Sequence, residues 1–315
     1  MTSLARGASL RAMIPESAFD GFTVKTVPTP RGQVHAVVRG TGPPLLLLHG
    51  YPQSGLMWRT VARLLCESHT VVVADLPGYG ETFRPAPTPD HAAHGKRAMA
   101  TDLVEAMAVL GFDRFAVAGH DRGGRVAYRM ALDHPDRVQR ATVIDVVPTS
   151  EVWRRADRGF AQGYWHWSFL ALPAPLPERL IAGDAQAFFD FHVRAGMGLG
   201  AADGRYPDEV MAVYRRALDA PGAVEAVCED YRAGATVDVE HDEADREAGR
   251  RITCPLQVIW SANGALPRFY GDVLGVWKPW ATDVRGTAID ASHFLVEDRP
   301  QETARELLGF LSPRP

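Results

Sequence analysis

Residues 115–125 read FAVAGHDRGGR, a short apolar run that leads into an aspartate flanked by glycines. The FAVA run is typical of a strand buried on both faces, and the residues from Gly124 onward have helical spacing. Small residues two positions before and after a central residue are typical of the sharp strand-to-helix turn that exposes a nucleophile. Here Asp121 occupies the central position, which is more often serine. On its own the pattern fits a turn-capping aspartate equally well, so its meaning depends on the rest of the chain.

This turn lies in a series of short apolar runs that alternate with helical patterns, which predicts an α/β fold with a mostly parallel sheet and crossover helices. The predicted strands are Leu45–Leu48, Thr70–Ala74, Phe115–Ala118, Thr142–Val147, Pro255–Trp260 and Thr287–Asp290. The predicted helices that flank them are Lys96–Leu110, Gly124–His134 and Pro300–Leu311.

The pattern changes in the middle of the chain, where tryptophan, tyrosine and proline are frequent and no strand alternation is visible. Helical segments are predicted there at Asp184–Arg194 and Asp208–Leu218. We therefore expect residues 1–150 to form the first part of an α/β core, 151–249 a helical cap inserted into it, and 250–315 the second part. The insertion accounts for a chain of 315 residues, longer than the roughly 100–200 of a usual domain.

Bulk composition excludes several classes of partner. The chain has 34 basic and 38 acidic residues, a net charge of −4, so it lacks the positive field that would hold nucleic acid or anionic lipid. Its apolar runs are far shorter than the roughly 20 residues of a membrane span. The first fifteen residues include no continuous apolar stretch, and the three cysteines are scattered. We therefore expect a cytoplasmic protein without a signal peptide or disulfide framework.

A second loop carries the signature of an oxyanion hole. Residues 45–53 read LLLLHGYPQ, a strand followed by a His-Gly turn. In folds with a nucleophile turn, this loop supplies one backbone N–H to the oxyanion, and the residue after the nucleophile supplies the other. By position these two donors are Tyr51 and Arg122.

The chain order nucleophile, acid, histidine predicts the remaining members of a catalytic triad. His293 follows the last strand and is the predicted general base. Residues 261–265 read SANGA and contain no carboxylate, whereas Asp145 ends the strand after the nucleophile's helix. An aspartate in so apolar a strand is costly to bury without a partner, so Asp145 is the predicted orienting acid.

Two arginines at the start of the nucleophile's helix predict an anionic substrate. Arg122 and Arg125 are three residues apart and share a helix face. Cations in the first helical turn oppose the helix dipole, so their presence is better explained by a bound carboxylate, which the planar guanidinium can grip. Arg129 and Arg137 are interpreted as solvent-exposed.

Seven motifs in their order resemble the haloacetate (fluoroacetate) dehalogenases, α/β hydrolases with an aspartate nucleophile. The motifs are HGYPQ, DLPGYG, GHDRGGRVAYR, IDVVPT, YWHWSFL, CEDYRAG and SHF. The resemblance implies an eight-stranded, mostly parallel sheet with a helical cap, no metal or organic cofactor, and a homodimer. It also implies that a haloacetate such as fluoroacetate is converted to glycolate and halide through an ester on Asp121. By the same resemblance, His166, Trp167 and Tyr231 bind the leaving halide.

Three positions depart from the family pattern. His192 stands where tryptophan is expected, Tyr51 where phenylalanine is more usual, and Val152 where an aromatic residue is expected. All three belong to the expected pocket wall, so substrate size and the preference among halides stay open.

Two other functions compete with the dehalogenase interpretation. An epoxide hydrolase would use the same triad but needs two cap tyrosines, which would be Tyr231 with Tyr164 or Tyr214. A non-catalytic small-molecule receptor would share the fold, although such proteins usually lack a triad member.

Overall fold

The computed structural model describes residues 16–196 and 206–312, so the first fifteen residues lie outside the described part. Within those ranges eight strands form one sheet in the order β1-β2-β4-β3-β5-β6-β7-β8. The strands are β1 Thr23–Thr29, β2 Gly32–Arg39, β3 Pro44–Leu48, β4 Thr70–Ala74, β5 Phe115–His120, β6 Val138–Ile144, β7 Leu256–Ser261 and β8 Val284–Ile289. Strand β2 pairs antiparallel with β1 and β4, and the six strands from β4 to β8 in the sheet order are parallel. The predicted eight-stranded, mostly parallel sheet flanked by helices is therefore confirmed.

The helices divide into those that flank the sheet and those that lie between β6 and β7 in the chain. The flanking helices are α1 Arg59–Leu65, α2 Lys96–Val109, α3 Arg122–Asp133, α12 Ala265–Tyr270, α13 Val273–Trp277, α14 Leu295–Asp298 and α15 Pro300–Leu311. Between β6 and β7 the described elements are α4 Thr149–Arg154, α5 Arg158–Gly163, α6 Trp165–Leu170, α7 Leu176–Gly183, α8 Ala185–Phe189, α9 Asp208–Arg216, α10 Ala223–Ala235 and α11 Val237–Glu247. We refer to the helices between β6 and β7 as the cap. The division at residues 150 and 249 stays a prediction.

Most predicted elements have somewhat different bounds in the structure, and two of these differences concern segments that carry candidate site residues. The predicted helix Asp184–Arg194 is α8 followed by a π-helical turn over Asp190–Gly196. The predicted strand Thr142–Val147 is β6, which begins earlier and ends at Ile144. It ends there because Asp145 has a φ of +53°, outside the extended region.

The turn between β5 and α3 requires glycine on both sides of Asp121. A Cβ atom on Gly119 would lie 2.1 Å from the carbonyl oxygen of Gly123, and one on Gly123 would lie 2.5 Å from that of His49. Asp121 itself has a φ of +48°, a conformation that L residues rarely adopt. The turn is therefore strained and tightly packed, and it presents the Asp121 side chain at the carboxyl edge of the sheet.

Candidate active site

The Asp121 carboxylate is held by the loop that follows β3. Its Oδ1 atom accepts a hydrogen bond of 2.9 Å from the backbone N–H of Tyr51. The loop approaches so closely that a Cβ on Gly50 would lie 2.5 Å from the Cβ of Asp121. Tyr51 thus lies where the sequence predicts an oxyanion donor. The backbone N–H of Arg122, at the first turn of α3, stays a prediction in that role.

His293 lies between the other two predicted triad members. Its Nδ1 atom is 2.6 Å from Asp145 Oδ2, and its Nε2 atom is 3.9 Å from Asp121 Oδ2. The second Asp145 oxygen accepts a hydrogen bond of 3.0 Å from the backbone N–H of Ser261. Because Nδ1 carries a hydrogen that it donates to Asp145, the lone pair of the neutral ring is on Nε2, which faces Asp121 and is available as a base.

Electrostatics favour an ionised nucleophile beside a basic imidazole. Burial alone would raise the pKa of Asp121, but the charges of His293 and Arg122 outweigh it and hold that pKa well below its usual range. Burial alone would lower the pKa of His293, but its hydrogen bond to Asp145 and the charge of that carboxylate raise the pKa above the ordinary value. Asp121 is therefore ionised at neutral pH, as attack on carbon requires.

A second histidine, His120, holds the backbone of His293 in place through a hydrogen bond. Burial, followed by the nearby His293, lowers the pKa of His120 to about 4, so its ring is neutral at pH 7. The His120 Nε2 atom lies 2.8 Å from the backbone oxygen of His293 and donates to it. The sequence offered no signal for this contact, which joins two distant loops.

The Arg122 guanidinium is buried beside the nucleophile, and its side chain is 0% exposed. Its charge lies 3.4 Å from the ring centroid of Tyr231 and 5.0 Å from that of Trp167. The carboxylate of Asp230 is 3.5 Å away and forms an ion pair with it, but within the described residues the guanidinium nitrogens make no well-aligned hydrogen bond. A buried guanidinium with unused donors is costly unless an anion completes its shell.

The guanidinium of Arg125 also lies over the Trp167 ring, 4.6 Å from the ring centroid. One of its terminal nitrogens donates to the carbonyl oxygen of Val147 at 2.9 Å and to Thr149 Oγ1 at 3.2 Å. The two arginines predicted to bind a carboxylate therefore both lie against the indole of Trp167.

The three residues predicted to bind halide lie together in the cap. The Tyr231 ring is edge-to-face with Trp167 at 5.9 Å and with His166 at 5.8 Å. Burial, with His192 and Arg122 nearby, lowers the pKa of His166 well below its ordinary value. A neutral imidazole, an indole and a phenol each carry one hydrogen that can be donated to a small anion.

A cavity lies between the predicted triad and the cap. Its lining includes all three predicted triad members together with Arg125, His166, Trp167 and Val152.

His192 lies just beyond His166, with ring centroids 4.3 Å apart, and its ring stacks on that of Tyr51 with centroids 5.9 Å apart. All three positions that depart from the family pattern therefore lie at or next to the site.

A family model described as the alpha/beta hydrolase fold matches residues 43–261, more than half of the chain. The chain belongs to the α/β-hydrolase family. The resemblance drawn from its motifs is also confirmed, since this α/β hydrolase is 44% identical to a fluoroacetate dehalogenase from Burkholderia sp. The similarity spans 93% of this chain and 95% of that protein.

Other relatives of this α/β hydrolase carry different names. It is 32% identical to a soluble epoxide hydrolase from Corynebacterium sp. (strain C12), over 89% of this chain and 94% of the relative. A solved structure of an α/β hydrolase from Nostoc sp PCC 7120 is 42% identical with a TM-score of 0.89, covering 94% of this chain and 100% of that one. A mutant from Pseudomonas aeruginosa with bound MFA, provisionally named an epoxide hydrolase, is 46% identical with a TM-score of 0.86, covering 93% and 96%.

One interpretation from the sequence is wrong for this α/β hydrolase. Arg129 is buried and not solvent-exposed, because it forms ion pairs with Asp242 and Asp245 of α11. Those partners lie more than a hundred residues away in the chain, and arginine spacing on α3 alone does not predict them.

Sequence reasoning also missed the charged residues behind Arg122. Lys96, Asp230 and Tyr79 are buried together, and the lysine and the tyrosine both donate to the Asp230 carboxylate. Tyr79 belongs to the DLPGYG segment, one of the seven motifs quoted from the sequence. Asp230 belongs to the CEDYRAG motif, but nothing in the local sequence of the three residues indicates that they meet. In the part of this α/β hydrolase that the structure describes, no helix is long and apolar enough to cross a membrane.

Proposed function

We propose that this α/β hydrolase hydrolyses the carbon–halogen bond of haloacetates such as fluoroacetate, giving glycolate and halide. The observation that carries the proposal is the buried guanidinium of Arg122, whose donors lack acceptors beside an ionised aspartate. A substrate carboxylate would supply the missing acceptors and bring its α-carbon to the nucleophile. The 44% identity to a fluoroacetate dehalogenase supports the same chemistry.

The first step is an SN2 displacement at the halogen-bearing carbon by Asp121. Since Oδ1 is engaged by the Tyr51 N–H, Oδ2 is the oxygen free to attack. The new bond joins Oδ2 to the α-carbon, and the carbon–halogen bond breaks as the halide leaves with its electron pair. Oδ1 becomes the carbonyl oxygen of a glycolyl ester, already hydrogen-bonded to an oxyanion donor.

The second step is hydrolysis of that ester by water. Nε2 of His293 takes a proton from water, which attacks the carboxyl carbon of Asp121. Negative charge then develops on Oδ1 beside the Tyr51 N–H, and we infer that the Arg122 N–H stabilises it as well. Collapse expels glycolate, which takes the proton back from His293, and leaves Asp121 as a carboxylic acid. This acid releases its proton to solvent, which regenerates the carboxylate and accounts for the one proton formed with each halide. Asp145 orients the imidazole throughout.

Departure of the halide requires hydrogen-bond donors in place of water, above all for fluoride, which is small and strongly hydrated. His166, Trp167 and Tyr231 are the donors that we assign to this task. Their neighbour His192 is smaller than the tryptophan of the family pattern, so the preference among halides is a property of this chain to be measured. A cytoplasmic homodimer completes the proposal and rests on composition and resemblance alone.

An epoxide hydrolase is the second candidate, because Tyr164 lines the same cavity as Asp121. With Tyr231 it could protonate an epoxide oxygen, whereas Tyr214 contributes to a different cavity behind Tyr51. A neutral epoxide, however, would offer no anionic acceptor to the N–H groups of Arg122 that make no hydrogen bond, so the arginine pair favours the haloacid.

One comparison of the purified protein distinguishes the two functions. We expect halide and glycolate in equal amounts from fluoroacetate or chloroacetate, measured by halide electrode and chromatography. Little diol should form from a simple epoxide such as styrene oxide at the same enzyme concentration. Diol without halide release would overturn the proposal in favour of an epoxide hydrolase.

Replacing the arginine next to the nucleophile tests the carboxylate assignment. We expect Arg122→Leu to lower kcat/KM for chloroacetate about a hundredfold, because charge-assisted hydrogen bonds to the carboxylate are lost. Turnover of chloroacetamide, the neutral analogue, should change by only a few fold. Equal losses on both substrates would refute a carboxylate clamp and indicate a general disturbance of the site.

A further inference from the structure

A buried cluster of charges behind Arg122 joins the core to the cap. Lys96 opens core helix α2, while Asp230 and Asp238 lie on cap helices α10 and α11. The ammonium group of Lys96 donates to Asp230 and, at 3.2 Å, to Asp238 Oδ2. The backbone N–H of Lys96 donates to the other Asp238 oxygen at 2.8 Å. All three side chains are buried, so the cluster is held in one arrangement by mutual charge and hydrogen bonding.

Asp230 connects this cluster to the arginine. Its Oδ1 atom lies 3.5 Å from Nη1 of Arg122, and the ring of the next residue, Tyr231, covers the face of the same guanidinium at 3.4 Å. The hydroxyl of Tyr79 donates to the second oxygen of Asp230. The ring alone would leave the guanidinium free to rotate in its own plane. The carboxylate at its edge fixes which N–H groups remain for a ligand.

We propose that Asp230 is a positioning residue: held by Lys96 and Tyr79, it sets the orientation in which Arg122 meets the substrate carboxylate. This inference deepens the proposed function and rests on it for the identity of the substrate. Asp230 acts only through Arg122. Because it lies on a cap helix and Lys96 on a core helix, the clamp has its correct geometry only when the cap is docked on the core.

The charge of Asp230 and its positioning of Arg122 predict opposite effects of an Asp230→Asn substitution on an anionic substrate, so one experiment distinguishes them. Removing the negative charge of Asp230 would, by Coulomb's law, strengthen the attraction of Arg122 for an anion. If a folded Asp230→Asn variant has a lower kcat/KM for an anionic substrate, the lost charge therefore cannot be the cause. The cause would be the lost orientation of the Arg122 guanidinium, since a displacement of about 1 Å can lower a rate a hundredfold.

The experiment compares chloroacetate with chloroacetamide in wild type, Asp230→Asn and Asp238→Asn. Asp238 belongs to the same cluster but does not contact Arg122, so its variant controls for loss of a buried carboxylate. We expect Asp230→Asn to lower the ratio of kcat/KM for the acid over the amide by about tenfold, with a higher KM for the acid. The ratio in Asp238→Asn should match wild type. An unchanged or higher ratio in Asp230→Asn would overturn the proposal.

A double variant covers the case in which Asp230→Asn fails to fold. Lys96→Met with Asp230→Asn removes one charge of each sign and restores the balance of the cluster. If the ion pair were purely structural, the double variant would recover both thermal stability and the wild-type substrate ratio. We expect it to recover stability while the ratio remains low.

Binding of acetate, measured by calorimetry, separates this inference from the proposed function. If wild type releases no halide, the proposed function fails, and the positioning role is then judged on acetate alone. We expect wild type to bind acetate and Asp230→Asn to bind it about tenfold more weakly. Equal or tighter binding by the variant, or no binding by wild type, would overturn the inference.

Discussion

Asp121→Ala is expected to abolish halide release, with kcat lowered about 10⁴-fold or more, as for other nucleophiles of covalent catalysis. Asp145 is the other carboxylate of the cavity, but it cannot replace Asp121. One of its oxygens accepts from the backbone N–H of Ser261 and the other from His293. Steady-state halide release from chloroacetate, followed by ion-selective electrode, measures the loss.

Two measurements test whether the loss of halide release is due to removal of the nucleophile. Asp136→Asn removes an exposed carboxylate just beyond α3 and should leave the rate at the wild-type value. In wild type, a single turnover in heavy-oxygen water should label the side chain of Asp121, because water attacks its carboxyl carbon and not the α-carbon of the substrate. Halide release that survives in Asp121→Ala would refute the assigned nucleophile, and label found only in glycolate would refute the ester.

The parallel sheet explains why three residues that lie together in the structure could be predicted from the sequence as a triad. Asp121, Asp145 and His293 each follow a parallel strand, and the carboxyl ends of such strands meet at one edge. An apolar strand that ends in aspartate or histidine therefore predicts a site without any knowledge of loop conformation. The residues at which strands begin and end are less predictable. Strand β6 ends before Asp145 because of a backbone conformation at that residue, which its residue type alone does not reveal.

Contacts between the core and the cap could not be predicted in the same way. Arg125 and Arg129 have the same residue type on the same helix, yet one lines the cavity and the other is buried against α11. The difference depends on which cap residues pack against each side chain, the Trp167 ring for Arg125 and two carboxylates for Arg129. The strands β1 and β2 also escaped prediction, because exposed residues such as Lys25 interrupt the apolar signal.

His293→Gln is expected to stop the reaction after one chemical step. The SN2 attack by Asp121 does not need a base, whereas ester hydrolysis does, and loss of a general base costs about 10²–10⁴-fold. The variant should therefore release halide in a rapid burst equal to the number of active sites and then almost cease turning over. Quenched-flow halide detection follows the burst, and mass spectrometry should find one carboxymethyl group on the peptide that contains Asp121.

His241→Gln on cap helix α11 is the matched control, since this histidine is half-buried and outside the cavity lining. It should turn over continuously and accumulate no adduct.

The raised pKa of His293 predicts a pH dependence in wild type. The base is protonated below that pKa, so hydrolysis of the ester slows as the pH falls while the burst persists. Absence of a burst in His293→Gln, in a variant that retains the wild-type thermal transition, would mean that the imidazole is needed before the ester forms. The division of labour between Asp121 and His293 would then be wrong.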